Sequence, residues 1–142
     1  MQQEDTEALA DWASALRINP KLTAAFYNRG NLRLNRGDPD GALADFDDAL
    51  HIDPAFAMAY NNRGIVKLGK SDVEGAIEDF DRAIKLNPRG PEAYVNRALV
   101  RLQQGRRIEA DRDFARSIAL NPSIRNFLEK RIAQIKSGVE TR

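Results

Sequence analysis

A proline that recurs at one spacing is the strongest constraint on how this chain of 142 residues can fold. Its copies are equally spaced, at Pro20, Pro54, Pro88 and Pro122. Each copy ends a related phrase, from Ala-Leu-Arg-Ile-Asn-Pro to Ser-Ile-Ala-Leu-Asn-Pro. A fixed period of this length indicates a repeat array, because such a small unit buries its apolar face only by stacking on a neighbour. We therefore expect an extended surface rather than a central catalytic pocket.

The composition supports helices and excludes several classes of function. Apolar residues make up 42 % of the chain and aromatic residues only 7 %, which favours closely packed helices over a sheet. Charged residues sum to +1, so the whole chain has no overall field that attracts nucleic acid or anionic lipid. The absence of cysteine excludes disulfides and thiol chemistry. No apolar run reaches the roughly 18 residues of a membrane span, and no signal peptide is evident. These features predict a soluble protein and favour the cytoplasm, although they leave the compartment open.

Other residues repeat with the prolines and indicate two helices in each unit. An alanine column is followed four positions later by an aromatic column of Trp12, Phe46, Phe80 and Phe114. The next repeating positions follow at intervals of three, as on one stripe of an α-helix. The preceding helix carries Gly30, Gly64 or Ala98, which we expect to face the alanines Ala42, Ala76 and Ala110. We predict eight helices, at about 5–18, 23–36, 39–52, 57–70, 73–86, 91–104, 107–120 and 123–137.

This pattern of small, aromatic, alanine and proline positions resembles the tetratricopeptide repeat (TPR) family over nearly the whole chain. The 34-residue spacing and the terminal prolines argue against the pentatricopeptide RNA readers, which are the nearest confusable class. The resemblance implies an all-α fold, a right-handed α-solenoid of antiparallel helix pairs. It implies a single array with a half repeat at 1–22, full repeats at 23–56, 57–90 and 91–124, a capping helix at 125–137 and a frayed tail at 138–142.

The resemblance also implies a non-catalytic adaptor or scaffold that binds a peptide of a partner protein in a concave groove. Asn28, Asn62 and Asn96 recur where some TPR arrays hold a peptide backbone with an asparagine ladder. Each amide offers two donors and an acceptor, enough to pair with a peptide unit. The alternative is that these side chains cap local backbone groups. The predicted groove residues are Tyr27, Asn28, Asn31, Met58, Asn61, Asn62, Ile65, Glu92, Val95, Asn96 and Leu99.

One known kind of TPR groove is not expected here. The carboxylate clamp that holds a heat-shock chaperone's C-terminal tail needs two lysines, two asparagines and an arginine. Of the positions that match the clamp, only Asn31 and Asn62 carry the expected residue, and Glu92 replaces a cation. The other two matching positions carry Tyr27 and Asn96.

Arginines and aspartates recur together in the complete units. Arg29, Arg63 and Arg97 each precede an aspartate of the partner helix at one constant spacing. We predict ion pairs between the two helices rather than a basic stripe that binds phosphate. A guanidinium can bind a carboxylate through two N–H groups at once. A second basic column, at Arg33, Lys67 and Arg101, is predicted to pair across unit boundaries with acids drawn from Asp45, Asp47, Asp79 and Asp81.

No cofactor, metal site or active site is predicted. His51 is the only histidine, and we expect it at the surface. The acidic phrases at 45–48 and 78–81 point their carboxylates around a helix, so they favour solvated or ion-paired faces over metal binding. The sequence contains no phosphate loop and no nucleophile elbow.

Two further interpretations of the chain stay open. An apolar edge on the half repeat, formed by Leu9, Trp12 and Leu16, is predicted to lack its partner within the unit and could associate with a second copy, making a homo-oligomer. Alternatively, the chain is a regulatory or targeting fragment of a larger protein. The sequence does not identify the protein or peptide partner, and neither nucleic acid nor membrane insertion is expected.

Overall fold

The computed structural model describes residues 2–140, which form eight α-helices and no strand. The helices are α1 (Gln2–Ile18), α2 (Thr23–Asn35), α3 (Pro39–Ile52), α4 (Ala57–Gly69), α5 (Val73–Leu86), α6 (Pro91–Gln103), α7 (Arg107–Leu120) and α8 (Arg125–Glu140). A 3₁₀ turn at Pro122–Ile124 precedes α8. The all-α prediction is confirmed, and the predicted helix bounds agree to within three residues.

The C-terminal end differs from the prediction. Because α8 continues to Glu140, residues 138–140 are helical and not part of a frayed tail. The last two residues of that predicted tail, 141–142, lie outside the described residues. No helix in the described range combines the length and the apolarity needed to cross a bilayer.

The chain divides into two compact units, Met1–Asp79 and Phe80–Arg142, and the division falls inside α5. In the first unit, α2 packs against α1, α3 and α4, and α3 also packs against α4. In the second unit, α6 packs against α7 and α8. Consecutive helices joined by short turns therefore form the helix pairs that the sequence predicts.

The repeating small and aromatic columns form the core of each unit. Phe46 is fully buried in a cluster with Ala42 and Val66. A second cluster in this unit contains Ala49 and Ala59. In the second unit, the buried cluster consists of Ala98, Leu102, Ala110, Phe114 and Leu128. The apolar stripes predicted from helical spacing are thus the buried faces.

Gly30 is small because an aromatic ring lies over it. A β-carbon at this position would come 2.8 Å from Phe46 Cε1 and 3.2 Å from Asp45 Cβ. The three atoms nearest to that β-carbon thus belong to Phe46 and Asp45, whereas the sequence pattern pointed to Ala42. The ring of Phe46 occupies the space that a side chain at Gly30 would need.

The turns inside the first two repeats share one geometry but not one residue type. Gly37 adopts a left-handed φ of 77°, and Ser71 occupies the same place with a φ of 66°. In each turn the next residue, Asp38 or Asp72, donates its backbone N–H to a carbonyl five residues earlier, which is the Schellman pattern. The side chain of each aspartate then caps the next helix.

Ser71→Gly should raise the free energy of unfolding by about 1 kcal/mol, because a left-handed backbone strains a residue with a β-carbon. Urea unfolding followed by far-UV circular dichroism measures the change. The reverse substitution Gly37→Ser, at the equivalent turn, is the matched control and should lower stability by a similar amount. A loss of stability in Ser71→Gly would contradict this account of the turn.

Candidate peptide-binding surface

Four predicted groove residues of α2 and α4 form a connected polar cluster in the first unit. Asn62 Nδ2 donates to Asn31 Oδ1 at 2.7 Å and to Tyr27 Oη at 3.1 Å. Asn61 Nδ2 donates to Asn62 Oδ1 at 3.1 Å. We name Tyr27, Asn31, Asn61 and Asn62 the amide cluster. Asn62 joins the two helices because its position on α4 faces the polar side chains of α2.

Two exposed apolar side chains flank the amide cluster along α4. Met58 is 55 % exposed and Ile65 is 39 % exposed. They lie seven residues apart, two helical turns, and therefore share a face of α4 with Asn61 and Asn62 between them. Exposed apolar side chains beside oriented amides offer both contact area and hydrogen bonding to a ligand.

The three asparagines of the predicted ladder occupy different environments. Asn28 is exposed on α2, whereas Asn62 on α4 and Asn96 on α6 are half-buried. Both N–H donors of Asn62 are used within the protein. An equal role for the three side chains is therefore not visible in the geometry, although their column in the repeat is the same.

Tyr27 serves the core as well as the surface. Its ring centroid lies 4.9 Å from that of Phe56 and 6.0 Å from that of Phe46, in tilted arrangements that aromatic pairs favour. The residue is half-buried, and its hydroxyl accepts from Asn62. Tyr27, one of the predicted groove residues, is thus held in place by packing on one side and by the amide cluster on the other.

The remaining predicted groove residues lie on α6 in the second unit. Val95 and Leu99 are half-buried and pack against the buried cluster around Phe114. Glu92 is exposed in the first turn of the helix. The apolar pair on α6 therefore contributes to the core, and the exposed acid is the most accessible of these side chains.

The predicted ion pairs between helices are confirmed. Arg63 Nε and Nη2 bind the two carboxylate oxygens of Asp79 at 2.8 and 2.7 Å, and Arg97 binds Asp113 in the same way. Arg29 binds Asp45 through Nε and Nη2. The acceptor residues Asp45, Asp79 and Asp113 are 1 %, 3 % and 5 % exposed. The recurring arginines therefore neutralise buried acids and do not form a stripe for phosphate.

The second basic column binds two of the predicted acids, Asp45 and Asp79, but the predicted pairing across unit boundaries is wrong, because each basic residue binds the buried acid of its own repeat. Arg33, Lys67 and Arg101 contact Asp45, Asp79 and Asp113 respectively, at 2.9, 3.1 and 2.7 Å. A residue one turn further along the same helix faces the same partner helix, which explains the choice. The first basic column does make contacts across repeats, from Arg63 to Asp47 and from Arg97 to Asp81.

The hydrogen bond to Asp79 is the largest cause that raises the pKa of Arg63 above its ordinary value. This guanidinium stays charged throughout the working pH range. Each arginine of the first column also stacks on an aromatic ring three residues earlier, with Arg63 Cζ lying 5.3 Å from the Tyr60 centroid. Phe26 and Tyr94 lie under Arg29 and Arg97 in the same manner. Our sequence interpretation missed these stacks, although the spacing of three was visible.

The predicted edge on α1 is only partly accessible. Leu9 and Trp12 are half-buried, but Leu16 is 7 % exposed and therefore contributes nothing to an accessible edge. Packing of α1 against α2 buries this side chain. Ile18, which the prediction left out, is 83 % exposed.

No three His, Cys, Asp or Glu side chains within the described range come together in a way that could hold a metal ion. The acidic phrases of α3 and α5 instead contribute Asp45 and Asp79 to ion pairs. His51 is exposed near the end of α3.

Solved structures with the same fold come from TPR proteins. A crystal structure of MamA superposes with a TM-score of 0.82 at 22 % identity, covering 98 % of this chain and 81 % of that one. The first TPR of Spaghetti (RPAP3), bound to the HSP90 peptide SRMEEVD, gives 0.73 at 23 % identity, with 83 % and 93 % covered. The TPR domain of Arabidopsis OM64 gives 0.72 at 24 % identity, with 79 % and 94 % covered. At these identities the likeness establishes the α-solenoid fold.

Sequence profiles of known families match three segments of the chain. The tetratricopeptide repeat is matched at residues 23–56 and again at 91–124, and the TPR repeat at 68–105. No curated protein matches the chain. The matches at 23–56 and 91–124 coincide with two of the predicted full repeats. The helix pairs, the 34-residue period and these matches agree, and the chain belongs to the tetratricopeptide repeat family.

Proposed function

We propose that this chain is a non-catalytic adaptor that binds an extended peptide of a partner protein on the α2/α4 face of its first unit. The observation that carries the proposal is the placement of exposed Met58 and Ile65 on either side of the amide cluster. Apolar side chains of the peptide would supply affinity by covering these two residues, and polar contacts would fix its register. The TPR of RPAP3 bound to a peptide supports the capacity of this fold for such binding.

Within the cluster, we assign different roles to the asparagines. Asn62 uses both donors internally, so it orients Asn31 and Tyr27 and does not itself donate to the peptide. Asn31 accepts from Asn62 through Oδ1, and none of the hydrogen bonds among the described residues uses its Nδ2 group. The Asn31 amide is therefore the proposed donor to a peptide carbonyl, with exposed Asn28 as a second contact. As a separate contact within the second unit, Asn96 and Glu92 of α6 are proposed to bind a peptide beside Val95 and Leu99.

The proposed peptide differs from the HSP90 peptide bound by the TPR of RPAP3. The acidic SRMEEVD sequence requires cations, whereas the positions of the α2/α4 face that match the clamp carry the uncharged Tyr27, Asn31 and Asn62. We expect an apolar or uncharged peptide core to be preferred.

Ile65→Ser should weaken peptide binding about tenfold, because the substitution removes apolar contact worth about 1.4 kcal/mol. Ligands would be selected from a random peptide library displayed on phage, using the whole chain as bait. Dissociation constants for a selected peptide would be measured by fluorescence anisotropy.

Asn31→Ala should also weaken peptide binding in the same measurement, because it removes the proposed amide donor.

Ile108→Ser is the matched control. It makes the same substitution at an exposed isoleucine of α7, which is 72 % exposed and lies outside the α2/α4 face. Its dissociation constant should stay within about twofold of the unsubstituted chain. Labelled SRMEEVD should bind more weakly than the selected peptide. If no peptide is selected, or if Ile65→Ser and Ile108→Ser behave alike, this face is not the binding surface.

A further inference from the structure

One aspartate of the recurring column is exposed, unlike the other three. Asp45, Asp79 and Asp113 each receive an arginine from α2, α4 or α6. One repeat period before Asp45, the same column holds Asp11 of α1. Asp11 is exposed, and within the described part of the chain its side chain has no ion pair or hydrogen bond.

The arginine column also has an exposed member, on α8. One repeat period after Arg97, this column holds Arg131 of α8. Arg131 is exposed and, among residues 2–140, has no acidic partner. Asp11 and Arg131 are thus both exposed, although the other members of their two columns bind each other.

Exposed apolar side chains accompany both groups. Ile18, seven residues after Asp11 and so on the same face of α1, is 83 % exposed. Phe127, four residues before Arg131 and on the same face of α8, is 65 % exposed. Each face therefore pairs one charge with one large apolar side chain, and the charges are opposite.

The charge of the two units is strongly asymmetric, although the whole chain sums to +1. Residues 1–79 contain 14 acidic and 8 basic side chains, a net charge of −6. Residues 80–142 contain 7 acidic and 14 basic side chains, a net charge of +7. A contact between the first unit of one copy and the second unit of another is attractive, whereas contacts between like units are repulsive.

We propose that the chain associates head to tail with a second copy of itself, through Asp11 and Ile18 of one copy and Arg131 and Phe127 of the other. Such a heterologous contact repeats along a series of copies. The contact uses the exposed faces and does not rebuild a regular repeat. In α8 the glycine column carries Ile132, whose side chain would block the close approach that Gly30 permits.

Charge reversal tests this contact directly. Asp11→Arg and Arg131→Asp should each be monomeric at concentrations where the unsubstituted chain associates, with a dissociation constant raised at least about tenfold. A mixture of the two variants should associate, since the introduced arginine of one variant then meets the introduced aspartate of the other. The double variant should also associate. Sedimentation equilibrium at several concentrations measures each mass, and added salt should weaken every association.

Glu74→Arg and Arg116→Asp are the matched controls, because they change the charge of each unit equally at exposed positions outside the two faces. Both control variants should associate to the same mass as the unsubstituted chain at each concentration. Circular dichroism confirms that each variant is folded. A chain that stays monomeric at all concentrations would overturn the proposal. So would association that survives both single reversals, or single variants that fail to associate when mixed. None of these substitutions touches the α2/α4 face, so failure here leaves the proposed peptide binding unaffected.

Discussion

Phe46→Ala is expected to lower the free energy of unfolding by about 3–5 kcal/mol, the largest effect that we expect from truncating one side chain. Phe46 is fully buried, with Gly30 beneath its ring and Tyr27 beside it. Loss of the ring removes apolar contact and leaves a cavity that the helix backbones of α2 and α3 cannot readily fill. Because repeats stabilise their neighbours, this loss should be felt beyond one helix pair.

Denaturant unfolding at low protein concentration would measure the change. Phe127→Ala is the matched control, since Phe127 is 65 % exposed and its truncation should cost less than about 0.5 kcal/mol. Similar losses for the two substitutions would show that Phe46 does not anchor the core in the way described.

Asp113→Ala should cost about 2–4 kcal/mol, because it removes one acceptor from two arginines that are largely buried. Asp113 accepts from Arg97 at 2.8 and 2.6 Å and from Arg101 at 2.7 Å. The side chains of both arginines are 15 % exposed. Without the carboxylate, Arg101 loses its acidic partner while its Nε is already buried without an acceptor. The cost therefore comes mainly from a charge left without compensation.

Asp81→Ala provides the matched comparison on the same guanidinium. Asp81 accepts from Arg97 at 2.6 Å, but its side chain is 51 % exposed. Water replaces an exposed carboxylate with little penalty, so we expect a loss below about 1 kcal/mol. Equal losses for the two aspartates in denaturant unfolding would show that burial does not decide the strength of these ion pairs.

Much of the fold could be predicted because its signals are local. The Asn/Asp-Pro pairs restrict the backbone just before each proline, and Gly37 permits a left-handed turn. The spacing between the alanine and aromatic columns determines which face of a helix is apolar. The pairing of Arg63 with Asp79 was also predictable, because both signs recur at one spacing in every complete repeat.

The candidate site was less predictable, because side chains with the same spacing have different neighbours. Asn28 and Asn62 occupy one column, yet only Asn62 reaches Asn31 and Tyr27 of another helix. Leu16 seemed to belong to an open edge, but packing against α2 buries it. The net charge of +1 likewise concealed two units of opposite sign, which became evident only when the structure divided the chain.

The sequence by itself determined the repeat period, the helices, the apolar faces and the family, because each depends on a pattern that recurs along the chain. The tertiary structure alone decided which buried acid each basic residue binds, which amide donors are already used and which apolar side chains remain accessible. These outcomes depend on distances between different helices. Only packing sets those distances, since a hydrogen bond or a buried contact forms only where two side chains meet.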